Sequence, residues 1–115
     1  MARFRIGFPT IVLFEGHAAT LRCSGDEDLS TQALRRQALS RALTTERDVH
    51  VDLDQLEFAD SSFLLDLAMV ARRLRKAGGT MHVRGAQPHV LALIERVGLH
   101  RFPGVVVHGA APALA

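Results

Sequence analysis

The apolar and polar positions of this chain change rhythm several times, and each change marks an element. Two short apolar segments, "TIVLFEG" and "AATLRCSG", flank His17. In the second, Ala19, Leu21 and Cys23 alternate with Thr20, Arg22 and Ser24. A period of two predicts a strand with one buried face, and two such segments in succession predict a hairpin. "DLSTQALRRQALSRAL" shifts to helical spacing. Ala33, Leu34, Ala38, Leu39, Ala42 and Leu43 recur on one side, Arg35, Arg36 and Arg41 fall elsewhere, and Ser30 or Thr31 can cap the start. "DVHVDLDQLEF" returns to alternation, with Val49, Val51 and Leu53 facing one way.

"SSFLLDLAMVARRLRKAGG" is again helical. Leu64, Leu67, Ala68, Ala71 and Leu74 form its apolar stripe. Arg72, Arg73, Arg75 and Lys76 sit in the last turns, where cations complement the helix dipole, and Gly78 and Gly79 end it. "TMHVRG" reads as a short strand. "QPHVLALIERVG" reads as a helix with Pro88 in its first turn and Gly98 past its end. "GVVVHG" is a last short strand, and "AAPALA" has room for barely a turn of helix. Strands alternating with helices predict an α/β fold in which parallel strands are joined by helical crossovers.

Composition narrows the class. A chain of 115 residues with 48% hydrophobic and 23% charged residues suits one domain, 1–115, with a core that needs no disulfide or metal. The pI is about 9.5, but a formal net charge of +2 is too small to imply nucleic-acid binding, and no Trp or Tyr interleaves with the basic run at Arg72–Lys76. Cys23 is the lone cysteine, so an internal disulfide is impossible, and its place on an apolar strand face predicts an inert thiol. No apolar run approaches the roughly 18 residues of a membrane span, and the basic start "MARFRIGFPT" lacks a signal-peptide core. The expectation is a cytoplasmic protein without membrane insertion.

Candidate chemistry is sparse. Neither "GxxxxGK" nor "GxGxxG" occurs, and "RKAGGT" reads as a helix end. The six histidines show no metal-ligand pair on a helix, and His50 and His82 alternate out of strands toward solvent. No convergent catalytic set exists, so no cofactor and no enzymatic activity are expected. What remains is "FADSSF", residues 58–63, between a strand and a helix. Partner and ligand sites concentrate at the carboxyl ends of strands in open α/β sheets. Asp60 or Ser61 would be the helix N-cap. The same geometry also suits modification. A phosphate at a helix N-terminus is locally tolerated, yet it brings nearly two negative charges to the surface beside Asp60.

The stretch from Val51 to Phe102 carries a family pattern. Asp52-Leu53, Leu56 and Phe58, Asp60-Ser61-Ser62, Gly78-Gly79 and Gly98-Leu99 appear in order, preceded by "LRCSGDEDLST" with Gly25 and Asp28. In this the chain, from about residue 10 to 102, resembles the STAS domain of bacterial anti-sigma factor antagonists. Two departures stand out. Phe63 occupies the position of the family's glycine after the serines, and Glu27 occupies an apolar position between the acids of "GELD".

The resemblance implies a mixed sheet of four or five strands with helices mostly on one face. It implies a partner-switching regulator, an anti-sigma factor antagonist that binds an anti-sigma factor serine kinase when unphosphorylated. The kinase marks Ser61, a serine phosphatase restores it, and ATP and metal belong to those partners. Asp28, Asp60, Ser61, Ser62 and Phe63 are the expected partner-binding residues, Ser62 being a structural neighbour, and a homodimer is left open. Phe63 is expected to be partly exposed in the contact surface, because a ring in place of glycine answers no backbone need; the alternative is that it tucks into the core. The rival function is a constitutive STAS adaptor subunit of a transporter or a stress-signalling scaffold.

Overall fold

A computed structural model describes residues 11–15, 18–43 and 48–109. The strands are β1 (Ile11–Glu15), β2 (Ala18–Glu27), β3 (Val49–Ala59), β4 (Met81–Arg84) and β5 (Val105–Val107). The helices are α1 (Gln32–Ala42), α2 (Ser61–Lys76) and α3 (Pro88–Val97), with 3-10 turns at Leu29–Thr31 and Leu99–Arg101. Strand order is β1-β2-β3-β4-β5, with β1 antiparallel to β2 and the other pairs parallel. The predicted hairpin and the mixed sheet are both present. The "AAPALA" end and His17 lie outside the described residues.

Register explains why helices cover one face. Ala19, Val49, Met81 and Val105 pair across the four parallel strands, and Leu21, Val51 and Val83 form the next row. All seven are buried. The intervening rows, Thr20–His50–His82–Val106 and Arg22–Asp52–Arg84, keep part of their surface in solvent. The helices pack on the first face, with α2 touching both α1 and α3. On the open face His50 stacks on His82 at 4.9 Å between ring centroids, and His82 on His108 at 5.9 Å. Among the described residues no group of His, Cys, Asp or Glu is arranged to hold a metal. No helix among them is long and apolar enough to cross a membrane.

β3 departs from strict alternation. Val49, Val51 and Leu53 are buried as expected, but the next buried positions are Leu56 and Ala59. Two register shifts against β2 cause this, one between Arg22 and Ser24 and one between Gly25 and Asp26. Each extra residue re-aims the strand while its apolar set still faces the core. Gly25 sits at the second irregularity with φ +66°, a conformation that favours glycine. Without these shifts, Gln55 and Glu57 would face the core.

α2 follows its predicted stripe. Leu64, Leu67, Ala71 and Leu74 are buried, and Gly78 (φ +83°) ends the helix, with the Gly79 amide donating to the Leu74 carbonyl at 2.8 Å. Leu67→Ala is expected to cost about 2–5 kcal/mol, the range for a buried leucine. Urea unfolding measures it, and a change below about 0.5 kcal/mol would mean that Leu67 behaves as a surface residue.

α1 differs from expectation. Ala33 and Leu34 are exposed, whereas Arg35, Ala38, Leu39 and Ala42 are buried. The inward face is therefore set by Arg35, which finds two carboxylates waiting inside. Neither Ser30 nor Thr31 caps through its own oxygen. Asp28 caps the preceding 3-10 turn instead, accepting from the Ser30 amide at 2.8 Å, while Thr31 Oγ1 accepts from the Asp28 amide at 3.0 Å.

Candidate functional site

The carboxyl ends of β2 and β3 finish side by side. Glu27 pairs with Ala59, and the Asp60 amide donates to the Glu27 carbonyl at 3.1 Å. The residues that follow, Asp28 and Asp60, are both N-caps, so the pairing brings the two acidic turns together. Asp60 is the cap of α2. One oxygen of its carboxylate, Oδ1, accepts from the Ser62 amide at 2.9 Å and the Phe63 amide at 3.3 Å. This satisfies two of the free amides of the first turn.

The two serines occupy different environments. Ser61 is the first residue of α2 and is exposed, and its hydroxyl makes no hydrogen bond among the described residues. Ser62 is partly buried. Its hydroxyl donates to Asp60 Oδ1 at 2.5 Å and accepts from Arg35 Nη2 at 3.4 Å. Both partners of the Ser62 hydroxyl are therefore side chains. Beside Ser61 a groove of about 220 Å³ runs between α2 and the Leu99–Arg101 turn, lined by Leu64, Leu65, Ala68, Val97 and Phe102 among others. Leu65 and Val97 are exposed apolar residues on its rim.

Phe63 corrects an expectation. Its ring is 0% exposed, so it offers no surface for a partner to touch. It lies beneath the turn with the Arg35 guanidinium carbon 5.5 Å from its centroid. The helix start points Phe63 inward along the same stripe as Leu67, Val70 and Leu74, and burial of a ring outweighs any gain from exposing it.

Asp66 has no part in the sequence pattern read above, and Glu27 appears there only as a departure without a role; the structure brings both to Arg35. Arg35 Nη1 donates to Glu27 Oε1 at 2.9 Å, and Arg35 Nε and Nη2 both lie 2.9 Å from Asp66 Oδ2. Arg36, more than half exposed, reaches the other oxygen of Asp66 at 3.5 Å. The signals were present in the sequence: an acid on the apolar stripe of α2, an acid where the pattern carries an apolar residue, and Arg35, Ala38, Leu39 and Ala42 at i, i+3, i+4 and i+7.

The family model described as Mlab, STAS domain, matches residues 12–111. Among curated proteins no sequence matches significantly. An anti-sigma factor antagonist from Mycobacterium paratuberculosis is similar in structure, at 26% identity and a TM-score of 0.70, over 84% of this chain and 83% of that one. The anti-sigma factor antagonist SpoIIAA in its unphosphorylated form has a TM-score of 0.72 at 19% identity, over 85% and 86% of the two chains. The phosphorylated form of the Bacillus cell fate determinant SpoIIAA has a TM-score of 0.66 at 18% identity, over 85% and 89%.

Proposed function

This chain belongs to the STAS domain family, and we propose that within it the protein acts as an anti-sigma factor antagonist that switches partners through Ser61. Unphosphorylated, it binds an ATP-dependent anti-sigma factor kinase. Phosphorylated on Ser61, it is released, and a serine phosphatase reverses the mark. The chain catalyses no step itself.

The observation that carries this reading is the exposed Ser61 hydroxyl at the start of α2, next to the apolar groove. An apolar groove supplies affinity for a partner, and a serine on its rim supplies control. A phosphate there adds roughly −1.5 to −2 charges beside Asp60 in a surface that must desolvate on binding. The fold needs no rearrangement, because Asp60 and Ser62 already satisfy the turn. In keeping with this, the SpoIIAA fold exists in phosphorylated and unphosphorylated forms.

Ser61→Ala is expected to leave the fold intact, keep partner binding and accept no phosphate. Ser61→Asp is expected to weaken kinase binding about tenfold or more, since a like charge brought into a desolvated contact costs several kcal/mol at ~1.4 kcal/mol per decade. Titration calorimetry against the kinase reads both, and equal affinity for Ser61→Asp and wild type would remove the switch.

One observation favours a second reading: the apolar groove beside α2 can hold a partner without any modification of the chain. In that reading the domain is a constitutive adaptor subunit of a transporter or a scaffold, held through the same groove. Co-purification separates the two, since an adaptor brings transporter or scaffold subunits and an antagonist brings a kinase.

A further inference from the structure

Among the described residues, the charged side chains in the core are Glu27, Arg35 and Asp66, and all three lie under the Ser61 turn. The guanidinium is held on several edges. Besides Glu27 and Asp66, Nη1 donates to the Asp28 carbonyl at 3.1 Å and to Thr31 Oγ1 at 3.3 Å, and Nη2 reaches Ser62 Oγ at 3.4 Å. Replacing a buried triad by apolar residues of similar volume is often neutral or stabilising, so stability alone gives this arrangement no rationale. Its geometric effect is definite: it ties the end of β2 and the body of α1 to the first turn of α2.

We infer that this triad selects between the two adjacent serines, holding Ser62 through Arg35 as a structural hydroxyl and leaving Ser61 as the acceptor. The inference rests on the phosphorylation reading above. In the transfer, a serine Oγ attacks the γ-phosphorus of ATP and its proton passes to a base on the kinase. The bond from that phosphorus to the β–γ bridging oxygen breaks, and ADP leaves. A serine hydroxyl has one proton and two lone pairs to commit. Ser62 gives its proton to Asp60 Oδ1 and one lone pair to the guanidinium. Asp60 is poorly placed to activate it as a base, since the same oxygen already accepts two backbone amides. To reach ATP, Ser62 must break both contacts, and each is strengthened by a charged partner. Ser61 has neither restraint.

The test uses the triple variant Glu27→Leu/Arg35→Leu/Asp66→Leu, which leaves no member of the triad buried without its partners. A second variant, Arg35→Lys, keeps a cation but loses the planar fork that serves Ser62 and the carboxylates together. Wild type and both variants, each with and without Ser61→Ala, are incubated with Mg-ATP and an extract of the host lacking this protein. Peptide fragmentation locates the phosphate, and circular dichroism checks the fold. In wild type the phosphate is expected on Ser61, with none on Ser61→Ala. In the triad variants phosphate should appear on Ser62, at a yield about tenfold or more above the wild-type background signal, the scale of one lost hydrogen bond to a charged group. A purely structural role would alter how much phosphate is incorporated, not where. Phosphate confined to Ser61 in both triad variants overturns the inference and leaves the proposed function standing. Phosphate on none of the proteins overturns the proposed function and the inference with it.

Discussion

Phe63→Ala is expected to destabilise the domain by about 3–5 kcal/mol, the cost of emptying a buried aromatic site. The ring is fully enclosed, and Arg35 stands over it at 5.5 Å, adding a desolvated cation–π contact. Total stabilities of small domains are only about 5–15 kcal/mol, so one side chain would account for a large share. In thermal unfolding the midpoint should fall by roughly 10–25 °C. Phe63→Gly should cost about 1 kcal/mol more, because glycine weakens the first turn of α2. At temperatures where the variant is folded, partner affinity should change little, since the ring is not on the surface. A stable variant with lost affinity would return Phe63 to the interface.

The second large effect is at Arg35. Arg35→Met is expected to cost about 3–5 kcal/mol, because it leaves the Glu27 and Asp66 carboxylates buried without the guanidinium that compensates them. Thr31 still donates to Glu27 Oε1 at 2.8 Å, and Arg36 still reaches Asp66, but neither replaces a buried cation. Replacing all three charges with leucine should recover most of the loss, since the desolvation cost disappears together with the attraction. Urea denaturation of the two variants side by side reads the difference. Equal destabilisation of both would mean that side-chain volume, not charge compensation, dominates the site.

Much of this was legible because it is local. The period of two in β2, the stripe of α2, Pro88 and Gly98 at the ends of α3, and Asp60 before an apolar helical run each report on a few neighbouring residues, and all are found in the fold. The second half of β3 was not legible. Whether Gln55 or Leu56 faces the core depends on bulges defined by pairing with β2. Arg35 and Phe63 were misread for a related reason. An arginine reads as a surface residue until Glu27 and Asp66, 8 and 31 positions away, are brought to it. A phenylalanine in a glycine position reads as exposed until the space beneath the turn is known. The departures at Glu27 and Phe63 thus belong to one packed unit under the serines, while the exposed hydroxyl of Ser61 sits where the family pattern put it.

The most direct measurement is the intact mass of the protein purified from its own host, with fragmentation to locate any modification. A species heavier by one phosphate, with the phosphate on Ser61 and none on Ser62, is the predicted result. A single unmodified mass under every growth condition, or a phosphate carried by Ser62, would contradict the account.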